Sequence, residues 1–427
     1  MRVVFATLPV KAHLNTVIPL AWALQSAGHE VLLTGDWGPE RDSTRYIEAA
    51  GLNAVPLGGE GDVSPVRPGE HNESDFLAMD PDERDEGRWV GFREAVRFMY
   101  RQVYAPESEV GRQGALLRNL VAFTGSWRPD LLLWDALVFP APVAARLCGA
   151  AHARIVWGMD TIGMLRDRIR TDLDERRAAS AEDVEDPCAE WLRPLLDPYG
   201  LDFTEETLLG QWSVDLCRPH PYRSHGTTVP MRRIPFGGAT ELVPWLREKP
   251  ARPRVVLTLG TTREEIHRRT LAFPLRDFLD AAAELDADLL TTMSADRMSA
   301  LGRLPDNVRP IGYVPFGLLL PTCSAIVHNG GRGTFSAAAG FRVPQVIVPQ
   351  PMWDEMVTAR QVTGYGAGLA LDPAGLEGAT VCKALVRVLD DPGFRAGAHR
   401  LYVDTMSDPA PTDCVARLEQ LTTLHRA

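Results

Sequence analysis

Residues 323–339 constrain the fold of this chain more than any other stretch. Cys323-Ser324-Ala325-Ile326-Val327 is an apolar run of strand length, and Phe335-Ser336-Ala337-Ala338-Ala339 favours helix. Between them lies His328-Asn329-Gly330-Gly331-Arg332-Gly333-Thr334. Strand, glycine-rich turn and helix in immediate succession make a βα unit, whose strand belongs in a parallel sheet. The turn also suits an anion. Glycines let the backbone approach closely, and a helix start supplies unpaired N–H groups and partial positive charge. His328 at the strand end adds a donor aimed at the same anion; a purely structural βα turn is the alternative. The residues match neither a Walker A loop, which needs Gly-Lys-Ser/Thr, nor the dinucleotide GxGxxG.

The same alternation runs through both halves of the chain. In the first, strands are expected at 2–8, 31–34, 54–57, 129–135 and 153–157, with helices at 14–27, 41–50 and 142–148 between them. Residues 58–87 read as a long mobile loop, and 160–215 as mostly helical. The second alternation has strands at 254–260, 288–291, 308–311, 323–327 and 345–348. A chain of 427 residues exceeds one ordinary core. The expected organisation is a first Rossmann-like domain over 1–238, a linker over 239–252 carrying Pro244 and Pro250, and a second such domain over 253–405. A C-terminal segment, 406–427, is expected to pack back on the first domain. The fold class is α/β, with two parallel-sheet halves facing each other across a cleft.

The net charge of −11 argues against nucleic acid or an anionic membrane as the main partner. Six cysteines without CxxC or zinc spacing make disulfides and a structural metal improbable, which fits a reducing cytoplasm. No run reaches membrane-spanning length, and the N-terminal apolar stretch is too short for a signal peptide. Asp-x-Asp triplets at 80–82, 172–174 and 286–288 do not follow strand ends and read as solvated surface, so no metal site is expected.

Other candidates sit where open α/β sheets present their reactive groups, at the carboxyl ends of strands. His13 follows the first strand, where a neutral imidazole can take a proton; a capping or surface histidine is the plain alternative. Asp135 ends another strand and can orient His13 or be an ordinary loop aspartate. Asp354, in Trp353-Asp354-Glu355, offers a carboxylate suited to sugar hydroxyls or an amine, or caps a helix. Thr262 in Gly260-Thr261-Thr262 can contact a diphosphate. The backbone around Val314 in Gly312-Tyr313-Val314-Pro315 can pair with a pyrimidine edge. A dehydrogenase is disfavoured, because the first βα turn, Pro9-Val10-Lys11-Ala12-His13, has no glycine.

Together these residues resemble the GT-B glycosyltransferases of family 1, over nearly the whole chain. Ala27-Gly28-His29-Glu30-Val31, Trp127-Arg128-Pro129-Asp130, Trp134-Asp135-Ala136-Leu137, Gly210-Gln211-Trp212-Ser213 and Leu318-Leu319-Leu320-Pro321-Thr322-Cys323 are similar to bacterial macrolide and anthracycline aminosugar transferases. The resemblance implies an inverting transfer of a deoxysugar, an aminodeoxysugar by preference, from a dTDP-sugar to a hydroxyl of a polyketide-type aglycone, without metal or other cofactor. It implies His13 as general base, a diphosphate contact at His328, Gly331, Gly333 and Thr334 as the phosphate turn, and Asp354 at the donor sugar. Glu355 stands where the wider family often has glutamine, and a second carboxylate there suits a cationic aminosugar. Asn329 and Arg332 also depart from the commoner residues; Arg332 adds charge near the phosphate or faces solvent. A helper protein similar to a cytochrome P450 lacking its haem cysteine is a further implied partner, with room for a homodimer. Trp89, Val90, Phe92, Val96, Phe98, Met99, Tyr100, Val103 and Tyr104 in 88–104 are an apolar set for that helper, for the acceptor or for the core. A GT-B sugar-nucleotide epimerase and a non-catalytic binding protein are the alternative functions.

Overall fold

The computed structural model describes the chain except for residues 39–41, 59–85, 99–113, 180–183, 218–225, 261–272, 351–352 and 427. The expected loop over 58–87 therefore lies almost wholly outside the described residues, as do Thr262 and the apolar positions 99–104. The chain forms two compact units, Met1–Arg232 with Pro409–Ala427, and Arg233–Asp408.

The first unit is built on seven parallel strands: β1 (Arg2–Ala6), β2 (Glu30–Gly35), β3 (Asn53–Pro56), β4 (Leu131–Asp135), β5 (Ala151–Val156), β6 (Trp212–Asp215) and β7 (Thr228–Pro230). Their order is β3-β2-β1-β4-β5-β6-β7. Helices cover both faces of such a sheet, so its central strands carry unbroken apolar runs and do not alternate. Leu131, Leu132, Leu133 and Trp134 of β4 accordingly expose nothing. Two strands of this unit, β6 and β7, escape the sequence pattern. Residues 212–215 look like part of a polar helical stretch, yet all four side chains of β6 are buried. Gln211 fixes the entry to β6 by accepting the His152 N–H at 2.8 Å. The helix Pro411–His425 belongs to this unit and packs on the Lys11–Ser26 helix and on β5.

The second unit holds β8 (Arg254–Thr258), β9 (Asp288–Thr291), β10 (Val308–Pro310), β11 (Ala325–His328), β12 (Gln345–Ile347) and β13 (Gly368–Ala370), all parallel, in the order β10-β9-β8-β11-β12-β13. Residues 239–252 fold with this unit and do not stand apart as a linker. Leu246 is buried among Val256, Leu319, Leu320 and Ala338, with Val243 and Trp245 packed alongside. The Arg254 and Arg309 guanidinium groups lie 5.1 and 4.8 Å from the Trp245 ring. The prolines and charges mislead because three apolar side chains suffice to anchor the segment.

Both orders are the doubly wound arrangement, in which the chain starts at a central strand, winds outward and then returns to the other side. In the first unit the reversal lies between β1 and β4, which pair Ala6 with Trp134. In the second it lies between β8 and β11, which pair Thr258 with His328.

The helix Pro392–Ser407 packs on β13 so closely that a Cβ on Gly397 would fall 1.9 Å from the Gly366 carbonyl oxygen. Alanine in a helix interior normally gains about 1 kcal/mol over glycine. Here overpacking against backbone, typically 1–3 kcal/mol, outweighs it. Gly397→Ala is predicted to lower the thermal midpoint of unfolding, and a raised midpoint would contradict the packing described.

Candidate active site

His13 is the third residue of the helix Lys11–Ser26, directly after β1, and Asp135 is the last residue of β4. Because β1 and β4 are neighbours, two residues 122 positions apart meet, with His13 Nδ1 2.6 Å from Asp135 Oδ2. Both are buried, His13 at 8% and Asp135 at 1% relative exposure. The other oxygen, Oδ1, accepts the Leu137 backbone N–H at 3.0 Å and the Trp157 indole N–H at 3.2 Å. A carboxylate held by three donors has little rotational freedom. As an acceptor it leaves the imidazole proton on Nδ1 and a lone pair on Nε2. The Trp157 ring also stands edge-on to His13, with centroids 4.6 Å apart at 68°. Sequence reasoning missed Trp157. Its one signal is position, immediately after the strand that neighbours β4.

The second unit gathers its candidates at the carboxyl ends of β11 and β12. β11 ends at His328, the chain turns through Asn329, Gly330 and Gly331, and the helix Arg332–Gly340 begins. Gly330 has φ +94, and a Cβ there would meet the Cβ of Glu355 at 3.1 Å and its carbonyl oxygen at 3.2 Å. Only glycine fits. The first intrahelical bond runs from the Phe335 N–H to the Gly331 carbonyl at 3.0 Å. The N–H groups of Gly333 and Thr334 thus belong to the open helix start, where Gly333 is exposed and Thr334 half-buried.

His328 does something other than expected. Its Nδ1 accepts the Gly330 N–H at 3.1 Å, and Nε2 donates to Gln345 Oε1 at 2.9 Å. With both nitrogens committed, the ring has no donor left for an anion; it props the turn from beneath. Burial lowers its pKa to about 4, against a smaller opposing effect of the Gln345 bond. A neutral ring is what this bonding pattern requires. Asn329, buried beside Gly260 and Gly331, is the side chain facing the helix mouth, and its Oδ1 has no hydrogen-bond partner. An Arg233 guanidinium nitrogen comes within 3.5 Å of where a Gly333 Cβ would stand, bringing positive charge to the same turn.

Arg332 neither faces solvent nor points at a phosphate site. It is buried, with Nε and a terminal nitrogen donating to Asp354 Oδ2 at 2.9 and 2.7 Å, and the other terminal nitrogen to Gln361 Oε1 at 3.0 Å. Asp354 precedes the helix Glu355–Gly364 but makes no side-chain cap. Its charge is balanced by Arg332. Val314 is half-buried on the loop after edge strand β10, packed against the apolar cluster that includes Leu246 and Val256. Among the described residues no group of three or more His, Cys, Asp or Glu is placed to hold a metal ion, and no helix is long and apolar enough to cross a membrane. In the helix Glu86–Phe98, Trp89, Phe92 and Val96 are buried, while Val90 is 48% exposed. The described part of the apolar set is therefore mostly core.

Comparison with known proteins places this geometry. Residues 22–260 match the N-terminal domain model, and residues 276–421 the C-terminal domain model, of erythromycin biosynthesis protein CIII-like proteins. The chain belongs to this family. It is 38% identical over 434 residues to 10-deoxymethynolide desosaminyltransferase of Streptomyces venezuelae, spanning 100% of this chain and 98% of the relative. It is 37% identical over 443 residues to aclacinomycin-T 2-deoxy-L-fucose transferase of Streptomyces galilaeus, spanning 100% and 97%. The structure of the glycosyltransferase VinC in complex with dTDP superposes with a TM-score of 0.84 at 35% identity, over 99% of this chain and all of VinC. Spinosyn forosaminyltransferase SpnP gives 0.79 at 33%, over 99% of each chain. The chain is a glycosyltransferase of the GT-B fold, and nothing in these relatives supports an epimerase or a non-catalytic protein.

The lowered His328 pKa has a consequence for stability. The unfolded chain takes up a proton on this residue near the ordinary histidine value of 6.5, while the folded chain resists it to about 4. Between those values the unfolded state binds more protons, so stability rises with pH through this window and is lost as pH falls. Urea midpoints of wild type and His328→Gln are predicted to differ less at pH 4.5 than at pH 7. A pH-independent difference would show that the ring titrates alike in both states.

Proposed function

We propose that this glycosyltransferase moves a deoxysugar from a dTDP-sugar to a hydroxyl of a polyketide-type aglycone with inversion at the anomeric carbon, and that the His13–Asp135 pair supplies the base. The observation that carries this reading is the 2.6 Å contact between His13 Nδ1 and Asp135 Oδ2, which leaves Nε2 as the proton acceptor. In the reaction, Nε2 takes the acceptor hydroxyl proton as that oxygen attacks the anomeric carbon. The bond from the anomeric carbon to the β-phosphate oxygen breaks, and the diphosphate leaves with the electron pair. Asp135 stabilises the imidazolium that forms.

Charge gathering on the diphosphate is met by the turn in the second unit. The Gly331–Gly333–Thr334 backbone and the helix dipole act there with nearby Arg233, in the way an oxyanion hole meets developing charge. Such a turn serves without a metal. Val314 supports a contact to the thymine edge, and Thr262 a further diphosphate contact. Asp354 and Glu355 meet the donor sugar. The donor preference toward an aminosugar rests on relatives named for desosamine, mycaminose and daunosamine, and on the presence of a second carboxylate, Glu355, beside Asp354. A cytoplasmic location suits six free thiols. A helper protein, which the family resemblance implies, and a homodimer complete the reading.

Replacing His13 by Ala is predicted to slow turnover by ~10²–10⁴-fold, while calorimetry finds dTDP affinity unchanged. Near-native turnover of the variant would overturn the assignment of the base.

A further inference from the structure

The diphosphate turn and the sugar turn are built on different βα units, yet one side chain ties them together. Arg332 opens the helix after β11, Asp354 precedes the helix after β12, and 22 residues separate them. Two guanidinium nitrogens converge on one carboxylate oxygen, Oδ2, and the third nitrogen is taken by Gln361. Phe335 lies beneath the guanidinium at 5.1 Å. The arrangement is dry, with side-chain exposures of 3% for Arg332 and 5% for Asp354. In such surroundings neither partner can swing away without leaving a charge unpaired. Trp353, the residue before Asp354, has φ +45, a left-handed conformation that is costly for a bulky side chain. The carboxylate that reaches Arg332 thus follows directly on a strained backbone position.

We propose that Arg332 is a positioning residue for donor-sugar recognition: it fixes the Asp354 carboxylate and locks the sugar turn to the diphosphate turn, without itself touching the phosphates. This rests on the reading of Asp354 as a contact to the donor sugar. With Arg332 in place, Asp354 serves as an oriented, charge-balanced acceptor for a sugar hydroxyl. Binding of the sugar then draws on geometry already set by the protein, and the diphosphate is held independently by the backbone of the turn.

The test separates nucleotide from sugar. Affinity is measured by calorimetry for dTDP alone and for two donors, dTDP-desosamine and dTDP-2-deoxy-L-fucose, with the donor KM and kcat measured alongside. Arg332→Met is expected to keep dTDP affinity within about threefold, but to weaken the accepted donor and its turnover by roughly 10- to 100-fold, the scale of a lost charge-assisted hydrogen bond. Arg332→Lys should recover part of the loss. Since Arg332→Met strands a buried carboxylate, the double variant Arg332→Met with Asp354→Asn guards against misfolding. It should fold and bind dTDP, and still fail to distinguish donor from dTDP. Equal weakening of dTDP and donor would make Arg332 a phosphate ligand or a purely structural residue and overturn the proposal. Donor affinity unchanged in Arg332→Met would overturn it too. A wild-type chain that binds no dTDP would instead bring down the proposed function as a whole.

Discussion

Strand direction is the constraint on which everything else in this protein depends. A parallel sheet cannot be closed by hairpins, so each strand hands over to a helix and all the loops of consequence emerge at one edge. The doubly wound order then splits neighbouring loops apart at one place, between the first strand and the fourth. In the first unit that place holds His13 after β1 and Asp135 at the end of β4; in the second it holds Gly260 after β8 and the His328–Thr334 turn after β11. Neither group of residues is local in sequence. Both are adjacent because the strand order makes them so.

Electrostatics then divide the labour. In the first unit a histidine stands against a carboxylate that is immobilised by two further N–H donors, from Leu137 and Trp157. In the second unit the glycine turn is braced by a group that does not titrate near neutral pH. His328 is buried and neutral, braced between Gln345 and the Gly330 N–H, so the turn keeps its shape regardless of protonation near neutral pH. Charge at the turn comes from the fixed dipole of the helix and from Arg233. The Arg332–Asp354 pair sets opposite charges against each other, so it adds no net charge at the turn.

Much of this was legible in the sequence. Runs such as 131–134 and 325–327, short and set between helical patterns, read as buried parallel strands, and the glycines at 330–333 mark the turn from strand to helix. His13 and Asp135 were visible as polar residues at strand ends. What escaped were partners. Hydrophobic periodicity reports that a side chain is buried, never what it touches. Trp157 could not be linked to Asp135, nor Arg332 to Asp354, because each pair is 22 residues apart and meets only through strand pairing. His328 was read as a ligand for the anion because a donor at a strand end looks alike whether it faces outward or inward. Strands β6, β7 and β13 escaped for a different reason: four, three and three residues carry too little pattern. The family resemblance named the fold and the reaction class. It did not foresee that Arg332 would be buried against Asp354.

The central claim is that His13 and Asp135 act as one unit, the carboxylate having no function apart from the imidazole it orients. A double-mutant cycle on turnover with an accepted donor and aglycone tests this directly, comparing His13→Ala, Asp135→Asn and the double variant. Residues that act as a unit lose their effect together. The double variant is predicted to turn over as slowly as His13→Ala alone, within about twofold. Losses that instead multiply, leaving the double variant slower by the product of the two single effects, would mean that Asp135 acts independently of His13 and would contradict the account.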